Sequence, residues 1–167
     1  MSTLRRNPFG GSTGAAISLA LVLLASPLAA QNPVTTLTLS GQTITFPAPT
    51  ATDYINGFVN SATGVTFTVN ATSGNQTHTT TVRIRSTSTT LGNGKLLSDL
   101  QWRRSDLATW NSITLTDATV EARSVRRNST NDPWNNTIFF RMLLAWTDDP
   151  PATSSANYRI TLSQTVP

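Results

Sequence analysis

The sequence predicts an all-β fold, one antiparallel two-sheet sandwich. Three observations carry this prediction. Apolar and polar residues alternate with period two in short runs, as strands with one buried face require. Threonine, valine, isoleucine and aromatic residues fill those runs, and these types fit a pleated, half-buried surface. Clusters of glycine, asparagine, aspartate and proline separate the runs at the spacing typical of a sandwich or barrel.

Residues 1–30 read as an export signal. Arg5 and Arg6 give a positive start, residues 15–24 form an apolar stretch, and Ser26-Pro27 precedes the small residues Ala29 and Ala30. That order is the signature of a secretory signal peptide. Cleavage is expected after Ala30, with Ala29 as the neighbouring choice because Leu28 is large for its position. Arg5-Arg6 matches a twin-arginine signal poorly, since Asn7-Pro8-Phe9 departs from the usual continuation. A permanent span needs about 20 apolar residues, so no membrane span is expected after cleavage. The mature chain is then residues 31–167, a single domain outside the cytoplasm, whether extracellular, at the cell surface or periplasmic.

The strand runs follow in order. Leu37 and Leu39 alternate with threonine, as do Ile44 and Phe46. Residues 65–69 are apolar on one face and threonine on the other. Val82 and Ile84 alternate with Arg83 and Arg85, Ile113 and Leu115 with Thr114 and Thr116, and Tyr158, Ile160 and Leu162 with polar neighbours. Residues 137–146 differ, being apolar at nearly every position except Arg141. A continuous apolar run predicts a central strand covered on both faces for part of its length; a buried helix competes, but Phe139-Phe140 and the flanking turns favour strand. Turns are expected at Gly41, Asn56-Gly57, residues 73–75, 92–94, 131–133 and 148–151. One short helical turn is expected around Ser98-Asp99, and no other helix.

Charge and cysteine content narrow the function. The formal charge is +4, and loss of Arg5 and Arg6 lowers it to +2, ten basic residues against eight acidic. Nucleic-acid binders cluster basic residues on one face. Here the nearest approach to a cluster is Arg103-Arg104 with Arg123, Arg126 and Arg127, which a solvated strand face explains, so no nucleic-acid partner is expected. With no cysteine, the domain must hold together by burial and strand pairing alone. Asn70, Asn75, Asn128 and Asn135 begin N-x-S/T tripeptides, which would accept glycans in a eukaryote.

Catalytic signals are weak. His78, the single histidine, has no nucleophile-elbow context around it, and its plain reading is an exposed or edge-strand residue. One histidine without cysteine does not make a zinc site. Asp99, Asp106, Asp117, Glu121, Asp148 and Asp149 show no spacing that marks a glycosidase pair. Asp148-Asp149 suits a turn, with calcium a minor alternative. No catalytic residue, metal or cofactor is expected. Tryptophans are the better handle. Trp146 is expected in the core and Trp134 at the surface. Trp102 and Trp110 flank Arg103, Arg104 and Asp106, and aromatics beside arginine and aspartate stack on and hydrogen-bond sugars. The plainer alternative is that Trp102 packs inside while Arg103 faces out. Residues 35–46, close to the new N-terminus, offer an edge strand for self-association or a surface partner; the plainer alternative is that they pair within their own sheet.

The chain's close, an apolar strand over residues 139–146, a proline-bearing turn over 148–152, then Tyr158-Arg159-Ile160-Thr161-Leu162, resembles the last hairpin of bacterial secreted Ig-like, pilin-like domains. Spore-coat-U-type fimbrial subunits end similarly. Those domains usually carry a disulfide, which this chain lacks. The resemblance implies an Ig-like sandwich with a structural or adhesive surface role; the missing nucleophile, metal and carboxylate-pair signals give the expectation of no enzymatic activity, and the alternative from the residues is a carbohydrate-binding module.

Overall fold

The computed structural model describes residues 34–72, 76–92, 94–125, 133–147 and 156–165. The export-signal stretch, Arg126, Arg127, Asn75, Asn128 and the Asp148-Asp149 turn lie outside them. Two antiparallel sheets form the fold. The larger joins β1 (Val34–Ser40), β3 (Val65–Thr72), β8 (Trp134–Leu143), β5 (Leu100–Arg104) and β6 (Asn111–Ser112) in that order, and β2 (Phe58–Asn60) also pairs with β8. The smaller places β4 (His78–Ser86) between β7 (Ala118–Val125) and β9 (Tyr158–Thr165). This is the all-β two-sheet sandwich that the alternation predicts.

Alternation sets the core. Val65, Phe67 and Val69 of β3, Val82 and Ile84 of β4, and Ile138 and Phe140 of β8 turn inward and are buried. Phe67 meets Trp134 edge to face, with ring centroids 5.8 Å apart. Each such side chain contributes about 1.5–3 kcal/mol through burial, and these contacts span both sheets without any covalent link.

β8 is the pivot. Its residues 134–138 pair with β3, 141–143 with β2, and its other edge with β5. Strands β2 and β3 therefore lie end to end along one edge of β8. Asn60 pairs with Arg141 and Val65 with Ile138, so residues 61–64 stand opposite only Phe139 and Phe140. The chain must bulge there. Ser61 anchors the bulge, its N–H donating to the Phe140 carbonyl at 2.9 Å. Gly64 lets the bulge press close: a Cβ there would lie 2.5 Å from Thr137 Cγ2 and 2.9 Å from the Ile138 carbonyl oxygen.

Several expectations need correction. Ile44 and Phe46 pack half-buried against the core, but residues 41–50 form no strand. Their alternation comes from irregular backbone laid over the sandwich. A helix not expected, α1 (Ala51–Asn56), follows. Thr50 caps it, accepting from Asp53 N–H while Asp53 Oδ2 accepts from Thr50 N–H, and Gly57 closes it at φ 76°. Ile113 is buried but Leu115 is 49 % exposed, and the strand ends at Ser112. A 3-10 turn, Leu97–Asp99, stands where the helical turn was expected. The closing strands do not make a hairpin: both edges of β8 are occupied, and β9 pairs with β4 in the other sheet. Among the described residues, no helix is long and apolar enough to cross a membrane.

Candidate functional site

Period two on β5 sends neighbouring residues to opposite faces of the larger sheet. Leu100 and Trp102 point into the core, and Trp102 is 4 % exposed. Arg103 points out. Opposite it on β8 stands Phe139, and opposite Gln101 stands Arg141. Trp110, in the short connection between β5 and β6, meets both arginines. The Arg103 guanidinium carbon lies 5.0 Å from the Trp110 ring centre and 5.5 Å from that of Phe139. The Arg141 guanidinium carbon lies 4.5 Å from Trp110 and 5.0 Å from Phe58. Rings and cations thus alternate as Phe139, Arg103, Trp110, Arg141, Phe58, each step within cation–π range.

These side chains border a shallow groove of about 400 Å³ with Asn60, Ser61 and Phe140. The bulge between β2 and β3 opens it, because residues 61–64 leave the rings of β8 without a paired strand beside them. Among the described residues each arginine is fixed by a single hydrogen bond: Arg103 Nη1 donates to the Leu107 carbonyl at 2.8 Å, and Arg141 Nε to Gln101 Oε1 at 2.7 Å. Neither has a carboxylate partner among the described residues. Partial burial, together with the like charge of Arg103, holds the Arg141 guanidinium below its ordinary pKa.

Arg104, one residue on, belongs to a different construction. It forms a two-pronged pair with Asp106 at 2.6 and 2.7 Å and donates to the Val120 carbonyl of β7 at 3.1 Å. Its Nη1 also lies 3.5 Å from Glu121, which accepts from Arg123 Nε at 2.7 Å. Asn136 joins Asp106 and Glu121 through its side-chain amide. This network ties β5 to β7 at one end of the sandwich. Arg104 holds Asp106 down to a pKa of about 2. Two carboxylates do meet here, Asp106 and Glu121, which their sequence spacing did not mark. With Asp106 ionised and Arg104 between them, the arrangement is a charge network.

The six residues singled out in the sequence therefore divide. Trp110 and Arg103 share the groove. Arg104 and Asp106 are locked in the network. Trp102 packs inside, and Trp134, expected at the surface, is 5 % exposed, packed on Phe67 and covered by Arg123 at 4.9 Å. Trp134 is the first residue of β8, paired with Val69, and shares the inward face with Ile138. Trp146, expected in the core, lies beyond the end of β8 and is 69 % exposed, stacked on Tyr54 of α1 at 5.0 Å. Sequence reading missed Arg141, Phe58 and Phe139 as groove residues. An arginine interrupting an apolar strand was the available signal.

His78 also departs from expectation. It begins β4, the middle strand of its sheet, and is fully buried, with neither ring nitrogen hydrogen-bonded among the described residues. Burial pushes its pKa down. No protein-family model, curated protein or solved structure matches this chain.

Proposed function

We propose that this chain is a non-enzymatic, secreted or cell-surface β-sandwich with an adhesive role, and that the outer face of its larger sheet makes the contact. One observation carries the reading: the groove presents three aromatic rings and two guanidinium groups without carboxylate partners among the described residues, on an open sheet face. Arginine and aromatic side chains dominate energetic contacts at binding surfaces. The export-signal pattern of residues 1–30 supports an exported setting. A glycan array read with size-exclusion chromatography tests the proposal. Binding that is lost in Trp110→Ala, with the thermal midpoint retained, is the expected result. Loss of binding only in variants of the opposite sheet, such as Arg83→Ala, would refute it.

A second reading has its own observation. β1 and β9 stand at sheet edges among the described residues, and an open edge accepts a strand from another chain. Oligomers that form without any glycan binding would favour this structural role.

A further inference from the structure

The groove's charge says which ligand it suits, an inference that rests on the adhesive reading above. We propose that it binds a linear polysaccharide bearing carboxylate groups, a polyuronate, with a carboxylate held by Arg103 and Arg141 and the sugar chain lying along β8.

Charge complementarity is the first support. Arg85, Arg104 and Arg123 each have an acidic partner, at 3.8, 2.6 and 2.7 Å. Arg103 and Arg141 have rings instead, and both approach the same indole. Two cations brought together without an anion repel each other, and a bound carboxylate relieves that repulsion. The remaining donors are free to do so. Arg141 uses only Nε on Gln101, and Arg103 only Nη1 on Leu107, so the other guanidinium nitrogens have no acceptor among the described residues. A guanidinium edge matches a planar carboxylate with two parallel hydrogen bonds. Trp110 holds both forks in place, which lowers the cost of ordering them on binding.

The surroundings suit a sugar. Phe58 and Phe139 offer apolar faces for ring C–H groups, and Asn60 and Ser61 offer hydrogen-bonding groups for hydroxyls. A second platform stands at the Phe58 end. Phe58 pairs with Leu143, and Leu144 N–H donates to the Gly57 carbonyl at 2.8 Å, so the end of α1 is fastened to the end of β8. Immediately beyond are Tyr54 and the exposed Trp146, stacked on one another. A chain ligand following β8 from Phe139 towards Leu143 approaches this second aromatic pair. Nucleic acid fits less well, because it needs a continuous basic track. Arg83, Arg85 and Arg159 alternate with inward-facing Ile84 and Ile160 and so lie on the outer face of the other sheet.

The test titrates the full processed chain with polygalacturonate, its carboxyl-reduced neutral counterpart and a single-stranded oligonucleotide. Polygalacturonate is expected to bind, more weakly as salt rises to about 0.5 M, while the reduced polymer binds at least about tenfold more weakly. Arg141→Lys keeps the charge but not the fork and is expected to lose about tenfold in affinity. Trp146→Ala is expected to weaken long oligosaccharides while leaving a dimer unaffected, a length dependence that misfolding does not produce. Arg83→Ala on the opposite sheet is expected to change nothing. Equal binding of the reduced polymer, tighter binding of the oligonucleotide, or full affinity in Arg141→Lys overturns the inference. If neutral glycans bind and Trp110→Ala abolishes that binding, the adhesive reading stands and the polyuronate assignment falls. If no glycan binds and oligomers form, both fall.

Discussion

Arg103 and Arg104 are neighbours in one strand with opposite tasks. Arg104 is tied to Asp106, Glu121 and the β7 backbone, and it joins the two sheets. Arg103 touches rings and one carbonyl. Phe139 and Phe140 on β8 divide in a similar way: both line the groove, but Phe140 is buried in the core, whereas the half-buried Phe139 ring meets Arg103 on the outer face. Stability and recognition thus occupy the two faces of one ribbon, and adjacent substitutions are expected to have separable effects.

The largest expected effect is at the inward phenylalanine. Phe140→Ala should lower stability by about 3–5 kcal/mol through the cavity it leaves, measured by urea denaturation. Phe139→Ala should cost roughly 1 kcal/mol, since its ring is half exposed. Comparable losses for the pair would mean that the two faces are not separate.

The arginines should follow. Arg104→Ala leaves the buried Glu121 with Arg123 as its one cationic partner among the described residues and should cost about 2–4 kcal/mol. Arg103→Ala should cost under about 1 kcal/mol while weakening ligand binding. Binding that survives Arg103→Ala but fails in Arg104→Ala would move the contact surface to the end of the sandwich.

Acid should act on the core before the groove. His78 has its pKa lowered by burial, so the unfolded chain takes up a proton more readily than the folded one. Its stabilising contribution is complete above the ordinary histidine value of about 6.5 and is lost as pH falls below it. The thermal midpoint should therefore drop on acidification through that range, and His78→Val should flatten the drop. Asp106 adds a second loss between its ordinary value of 3.8 and about 2, which Asp106→Asn should remove. The smallest effect expected is on the midpoint of Trp110→Ala, within about 1 kcal/mol of the parent.

Much of this fold was legible because period two reports one buried face regardless of which strand pairs with which. The same signal misled at Ile44 and Phe46, where an extended loop presses alternate side chains onto the core without a strand partner. It also could not rank tryptophans. Trp134 lies among polar residues yet opens β8 facing inward, and Trp146 follows an apolar run yet projects past the end of the sheet. The helix Ala51–Asn56 was written locally, in Thr50 and Asp53 three residues apart, but it is too short to show an amphipathic pattern. The groove was half legible. Arg103 and Trp110 are close in sequence, whereas Phe58 and Arg141 join them only through the register of β2 and β5 on β8, which no local pattern specifies.

The placement of the four indoles gives the protein its own optical reporters. Trp102 and Trp134, shielded from solvent, should emit at short wavelength and shift to the red only when the sandwich opens. Trp146 should be the first quenched by a small aqueous quencher. Trp110 lies between cations whose positions change when a ligand arrives, so its emission distinguishes occupancy from unfolding within a single spectrum.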